Sequence, residues 1–483
     1  MAIMKKIIAV LLASLMLLTL ISCAKNTENK KEDAIVNDDT IPQLFKDVNY
    51  EGKEFVLACI RKATAGEKIS HYSELIADEL TGDPINDAIY ERNQKLQSTL
   101  NCTIVPYEID SSGKELKTTL LSGNPDGIDA CFINGINFAP VVSEDLVYNL
   151  HEFEDLGLEN EWWHQRANES MTLNGRLYGA VGDFSSRGLV SMTAVFFNKT
   201  MIEKFEDLEN PYTLVREGRW TIDVLSEYAK VMTDLGGNDT LEIDDRVGFV
   251  TEWGSGYYYM AAAGVRGFTN DGSQVSFTMN TPEAQSMISK ISALLNNKLV
   301  TKIVVDSYND DYTASGTLGY FSDHKIAFFS NYIYAALELR DMEADFGMLP
   351  LPKLSETQPE YCSVANRWIA SYAIIPLSCD NPEEAAVVLN AMAYYGNKLL
   401  KEAIYDRSFR SLKLLRDEDS VEMFELILET QRQDLGLLFN TMVYDNAVRI
   451  ARNSPGAFSS NIKKLESSFL KIIDDLHKIY GVS

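Results

Sequence analysis

The sequence predicts an α/β protein of two lobes, and three observations lead there. At 483 residues the chain is longer than one hydrophobic core usually supports, so two domains of roughly 150 to 250 residues are expected. Strand-like and helix-like stretches alternate along its first half, the order that builds a parallel sheet covered by helices. Residues 173–205, LNGRLYGAVGDFSSRGLVSMTAVFFNKTMIEKF, then read as a turn at Asn174-Gly175, a thin glycine-spaced connector over 177–182 and a buried strand over 189–197. A connector of this kind suits a crossing between lobes, and a cleft forms where lobes meet.

The N-terminus is of another character. Lys5 and Lys6 precede an apolar run over 7–21, broken only by Ser14 and Thr19, and Leu20-Ile21-Ser22-Cys23 follows. That order predicts a secretory signal over 1–22, too short and wrongly flanked for a comfortable membrane span. The tetrapeptide resembles a bacterial lipoprotein cleavage box, in which Cys23 is lipidated and becomes the mature N-terminus; the alternative is a plain signal peptide with an incidental cysteine. Residues 24–40, AKNTENKKEDAIVNDDT, hold too little apolar surface to fold. A disordered tether over 23–45 is expected, holding a lipid-anchored domain at the extracytoplasmic face of the cell membrane.

A formal charge of −26 and the lack of any Lys/Arg cluster argue against nucleic acid as a partner. With Cys23 set aside, Cys59, Cys102, Cys131, Cys362 and Cys379 remain, an odd number with no CxxC pair, so neither a full disulfide framework nor a zinc site is indicated. Buried free thiols are expected, Cys59 and Cys131 lying in the strand-like runs FVLACI and IDACFI.

From about Tyr50 the expected order is a strand over 54–60, a helix opened by Asp83 as cap and Pro84 as first residue, a strand over 103–107, a helix over 114–121 and a strand over 128–133. Ile85, Ala88, Ile89, Leu96 and Leu100 share one face of the first helix. Ligands of parallel sheets sit beyond the carboxyl ends of strands, which marks Asn134, Gly135, Ile136 and Asn137 as a ligand loop or a plain polar turn. Past the connector, Thr221 caps a helix, a strand over 247–250 runs into Thr251–Tyr259, Thr281-Pro282 opens a helix, and a strand over 325–329 runs into Ser330-Asn331-Tyr332. A strand over 345–351 ends in Pro350-Leu351-Pro352, a stiff second crossing, and another strand lies over 371–375. From about Leu412 onward the chain reads as wholly helical.

No GxSxG, HExxH or GxxxxGK[ST] motif is present, and His71, His151, His164, His324 and His477 lack metal-ligand spacing. Residues 234–245 are oxygen-rich but lack the DxDxDG order of a calcium loop, so a solvated turn is expected. Neither a metal, a cofactor nor catalysis is expected. The stronger signal is aromatic residues beside predicted turns, because sugar rings pair flat C–H faces with a hydroxyl edge. The candidates are Trp253 with Tyr257 and Tyr258, Asn331 with Tyr332 and Tyr334, Arg367 with Trp368, and Asp183 with Ser185 and Arg187.

NGRLYGAVGDF, FFNKTMIEKF, GRWTIDVLSEYAKVM, MAAAGVRGF, KIAFFSNYIYAA, FGMLPLPK and SYAIIPLSCDNPEEAAVVLNAMAYY, in that order, resemble the landmark segments of family 1 extracellular solute-binding proteins of carbohydrate ABC transporters. The resemblance implies a type II periplasmic-binding-protein-like fold whose lobes are joined by crossing strands at a hinge. It implies lobe 1 over 46–180 and 352–410, lobe 2 over 181–351 and 411–483, and a monomer that delivers a sugar or oligosaccharide to an ABC permease. It puts Trp253 at a stacking position in lobe 2, Asn331 and Tyr332 in the loop after the AFF strand, Trp368 in a late lobe 1 loop, and Asp183 and Arg187 after the hinge. Arg187 and Arg367 depart from that pattern and leave room for an acidic sugar or another anion. A peptide or other nutrient cargo, a sensor role and a surface glycan hydrolase are the alternatives.

Overall fold

The folded chain opens on β1 (Lys53–Ile60), buried on both faces from Leu57 onward, as an inner strand of a parallel sheet must be. The computed structural model describes residues 42–61, 73–112, 114–237, 239–242, 245–252, 254–304, 314–339, 345–409, 418–440, 442–453 and 455–482. Residues 1–41, which hold the expected signal, Cys23 and most of the expected tether, and Trp253 lie outside the described residues. Contacts divide the chain after Asp47. Of the first unit, residues 42–47 carry a single 3-10 turn, Gln43–Phe45. The second unit, from Val48 on, holds all of the described strands.

After β1 come β2 (Cys102–Ile109), β3 (Ile128–Asn134), β4 (Thr193–Asn198), β5 (Val247–Glu252), β6 (Phe268–Asn270), β7 (Val275–Phe277), β8 (Thr301–Val304), β9 (Ile326–Tyr332), β10 (Phe346–Pro350), β11 (Ser363–Val364), β12 (Ser371–Ile374) and β13 (Gln431–Arg432). They form a sheet in the order β12-β3-β1-β2 and a second in the order β10-β4-β9-β5-β8. Both sheets follow one plan. Three parallel strands have the first of them in the middle, β1 between β2 and β3, β5 between β8 and β9. An antiparallel strand then lies beside the third, β12 on β3 and β4 on β9. The chain passes from the first sheet to the second between β3 and β4 and back between β10 and β12. Two α/β lobes joined by crossing chain are therefore the fold, as the connector and length predict.

Local chemistry explains the helix starts. Asp83 Oδ1 accepts from the amides of Ile85 and Asn86 (3.0 and 3.3 Å) with Pro84 at the first position, and Thr221 and Thr281 cap Ile222–Met232 and Pro282–Leu295 in the same way. Helix Pro382–Tyr395 packs on Pro84–Leu100 and β3, Glu418–Glu429 on β10, Met442–Asn453 on Ser255–Ala262, and Phe458–Ile479 on β7. Among the described residues no helix is long and apolar enough to cross a membrane. Cys59, Cys102, Cys131, Cys362 and Cys379 are buried and unbonded to one another.

Three stretches depart from their expected form. Residues 186–190 are helical because the Ser185 hydroxyl accepts from the Gly188 amide at 2.8 Å, so the strand expected from Leu189 starts at Thr193. The turn expected after β3 is the first turn of helix Gly135–Val142, capped by Asn134 Oδ1 accepting from the Asn137 amide at 3.2 Å. The C-terminal helical region is broken at β13, which pairs in parallel with β11.

β5 approaches helix Ile222–Met232 so closely at Gly248 that a Cβ there would lie 1.9 Å from the Ala229 carbonyl oxygen. Gly248→Ala should therefore destabilise the protein by about 1–3 kcal/mol through overpacking, read as a lower urea midpoint; an unchanged midpoint would mean the helix and strand are not held this close.

Candidate functional site

β5 ends at Glu252 and helix Ser255–Ala262 starts almost at once, so Tyr257, Tyr258 and Tyr259 share two turns of a helix and all are buried. Tyr332 is the last residue of β9, at its carboxyl end. Arg367 and Trp368 lie in the turn leading to β12, where Asn366 Oδ1 accepts from the Trp368 amide at 2.8 Å. Tyr444 projects from Met442–Asn453 and joins these groups. Its ring centroid lies 5.2 Å from Trp368, 5.5 Å from Tyr257 and 6.0 Å from Tyr258, and Tyr258 meets Tyr332 edge-on at 5.9 Å. Gly254 permits the approach: a Cβ there would come within 2.2 Å of the Tyr444 hydroxyl.

Rings attached to both sheets thus converge on one residue. Trp368 is the most open of them, 36 % exposed, while Tyr332 is buried. Burial pushes the Tyr257, Tyr258 and Tyr332 phenols well up, so all three are neutral donors. Tyr257 donates to Asp434 Oδ2 at 3.0 Å; Asp434 also accepts from the amides of Gly267 and Gly436 (3.3 and 2.8 Å), and burial raises its carboxyl. Arg367 Nη1 donates to the Leu437 carbonyl, and its buried Nε has no partner among the described residues. Burial lowers the Arg367 guanidinium, while the surrounding Tyr372, Tyr257, Tyr258 and Asp445 pull the other way.

Asn134 spends its side chain on the helix cap and on the Ser111 carbonyl (3.3 Å). The amide of Gly135 donates to the Arg367 carbonyl at 2.7 Å, tying this turn to the Arg367 backbone. Asn137 is fully buried with neither side-chain oxygen nor nitrogen partnered among the described residues. Asn331 Oδ1 accepts locally from the Tyr332 amide at 2.7 Å.

Asp183, Ser185 and Arg187 stand apart from the aromatic group, in the segment that enters the second sheet. Asp183 Oδ1 lies 2.8 Å from His164 Nε2, its Oδ2 accepts from Asn397 Nδ2 at 2.7 Å, and His164 Nδ1 lies 2.7 Å from Gln431 Oε1. Both carboxylate oxygens are therefore engaged within the protein. Ser185 donates to Glu74 Oε1 at 2.7 Å. Arg92 Nη1 and Nη2 donate to the Phe184 and Glu74 carbonyls, both at 2.5 Å. Arg187 lies beside Glu74 and lines a small cavity of about 10 Å³, room for a single water, with Ile85, Ser186, Val190, Tyr334, Leu337 and Ile404. No three His, Cys, Asp or Glu side chains among the described residues are grouped to hold a metal.

No protein-family model and no curated protein matches the chain. Solved structures do. An ABC substrate-binding protein from Listeria monocytogenes in complex with cycloalternan superimposes with a TM-score of 0.53 over 89% of this chain and 100% of that one, at 15% identity. A cyclo/maltodextrin-binding protein complexed with maltotetraose does so with a TM-score of 0.55 over 88% and 97%, at 16% identity. The fold is that of two-lobed binding proteins. Tyr444, Asp434 and Tyr372 are the site residues that sequence reading missed. Tyr444 and Asp434 lie in a stretch legible only as helix, and Tyr372 in a strand legible only as core.

Tyr257→Phe leaves buried Asp434 short of a donor and should cost about 1–3 kcal/mol, measured by urea unfolding. A variant as stable as the parent would show that Asp434 does not depend on that hydroxyl.

Proposed function

We propose that this chain is the substrate-binding component of an ABC importer, that it binds a sugar or oligosaccharide between its lobes, and that it hands this cargo on without chemical change. Lobe 1 takes residues 46–180 and 352–410 and lobe 2 residues 181–351 and 411–483. The leader is removed, Cys23 carries lipid, the tether over 23–45 holds the lobes off the membrane, and a permease receives the cargo.

The observation that carries the reading is the meeting of rings from both sheets at Tyr444, with Trp368 and Tyr257 as its nearest rings to either side. Aromatic faces and edges hold the C–H surface of a sugar, and neutral phenols, Arg367 Nε and the Asn137 amide supply donors for its hydroxyls. A ligand that touches groups from both sheets stabilises the state in which they are close, and this is how binding becomes a signal that a permease can read. The fold shared with two oligosaccharide-bound proteins supports the same reading.

Calorimetry of the purified mature chain against a sugar panel and a peptide panel tests it, with binding expected in the first alone and no turnover of any bound glycan. Trp368→Ala should weaken the best sugar by about 1–3 kcal/mol if the indole stacks. Binding of peptides and no sugar would replace carbohydrate with another nutrient; release of hydrolysed product would replace binding with catalysis.

A further inference from the structure

The turn at Asn174-Gly175 hangs from the first sheet, since the chain just beyond it pairs through Ala180 with Ala373 of β12. It is nevertheless gripped by two elements of the second sheet's side. One is the hairpin β6–β7, inserted between β5 and β8. The other is the end of helix Phe458–Ile479, which packs on β7 and on helix Pro282–Leu295. On the hairpin, Asn270 Nδ2 donates to the Ser170 and Thr172 carbonyls (3.1 and 2.8 Å), and the Gly272 carbonyl accepts from the Asn174 amide at 2.8 Å. At the helix end, the Tyr480 and Gly481 carbonyls accept from Asn174 Nδ2 (3.1 and 2.8 Å), and the Ile479 carbonyl accepts from the Tyr178 hydroxyl at 3.1 Å and from Arg176 Nη1 at 3.4 Å.

The chemistry of a helix end explains the second grip. The last carbonyls of a helix have no donor within it, and here the donors arrive from the connector. The rings of Tyr178 and Tyr480 meet edge-on at 5.0 Å over the same junction. Hairpin and helix also brace each other, because the Val275 amide donates to His477 Nε2 at 3.0 Å and Phe277 stacks on Phe469 at 4.9 Å. Asn174 itself sits at φ 51°, in the left-handed region that asparagine tolerates better than most side chains.

The covalent crossings between the sheets survive any rotation of one against the other. These bonds do not, since a hydrogen bond is lost once its atoms part by about 1 Å. They therefore favour the arrangement in which rings from both sheets meet at Tyr444 over any more open one.

We propose that Asn174, Asn270 and the end of helix Phe458–Ile479 form a latch between the lobes, which holds them together when made and lets them part when released. On the sugar-binding reading above, the latch sets the share of molecules ready to hold cargo, and so scales affinity without touching the cargo.

Asn174→Asp and Asn270→Asp test it. Aspartate also tolerates the left-handed region, and at 270 it can still accept from the Gly272 amide as Asn270 Oδ1 does at 2.9 Å. Each substitution sets a carboxylate oxygen against carbonyls that had a donor. Nitroxide labels at Ser98→Cys and Ser289→Cys, both exposed sites, report the distance between helix Pro84–Leu100 on the first sheet's side and helix Pro282–Leu295 on the second's by pulsed electron resonance. The five cysteines from Cys59 to Cys379 are buried, and Cys23→Ser removes the remaining thiol. Without ligand, each variant should add a longer distance that the parent lacks, and the double variant should add more of it. Affinity for the best sugar should fall about threefold to tenfold in each, with the longer distance vanishing at saturation. Where a variant does not fold, Asn174→Gly takes its place, because glycine accepts the same φ without the side-chain donors. Distances unchanged from the parent in Asn174→Gly and Asn270→Asp overturn the latch. The distances are read without ligand, so a longer distance in the variants supports the latch even where no sugar binds. A loss of affinity with unchanged distances removes the latch and leaves the sugar reading standing.

Discussion

Everything in this fold depends on how the chain is pinned where it enters the second sheet. Over five residues, Asp183 engages His164 and Asn397, the Phe184 carbonyl takes Arg92, Ser185 takes Glu74, and Arg187 lies against the same carboxylate. These groups come from distant parts of the sequence and are nearly all buried. Buried charge is weak evidence for stability, since desolvation offsets most of the attraction. What such a network provides is one defined path for the segment. β4 begins directly after it, and β4 aligns β9, whose carboxyl end carries Tyr332.

From that anchor the two candidate regions follow in opposite chemical styles. Around Tyr444 the packing is aromatic and edge-on, with hydroxyls held neutral by burial, a surface suited to alternating C–H faces and hydroxyls. Around Arg187 the walls are aliphatic and the centre is a buried guanidinium beside the Glu74 carboxylate. The outer surface of the chain, at a net charge of −26, gives an anion no general attraction.

Much of the architecture is legible in the sequence because its signals are local. Asp83-Pro84, Thr221 and Thr281-Pro282 each announce a helix within four residues, and the runs FVLACI and IDACFI carry the continuous burial of inner parallel strands. The same locality explains the misreadings. Leu189-Val190 looks like the start of a strand by composition, yet one hydroxyl at Ser185 turns the preceding residues into a helix. Asn134 looks like a loop residue and serves as a cap. The clustering of Tyr257, Tyr258, Tyr332, Arg367 and Trp368 rests on strand ends that pattern could find. Tyr444 and the Glu74–Arg92–Arg187 group could not be found that way, because which face of a helix meets which partner is decided by packing between elements far apart in sequence. The shared plan of the two sheets is likewise absent from the sequence, which carries no internal repeat.

The most direct test is a crystal structure of the mature protein grown with the tightest-binding saccharide from the calorimetric panel. The expected result is a sugar ring against Trp368 and contacts from Tyr258 or Tyr332 on the second sheet's side. A saccharide seated on elements of one sheet alone, away from Tyr444, would contradict capture between the lobes.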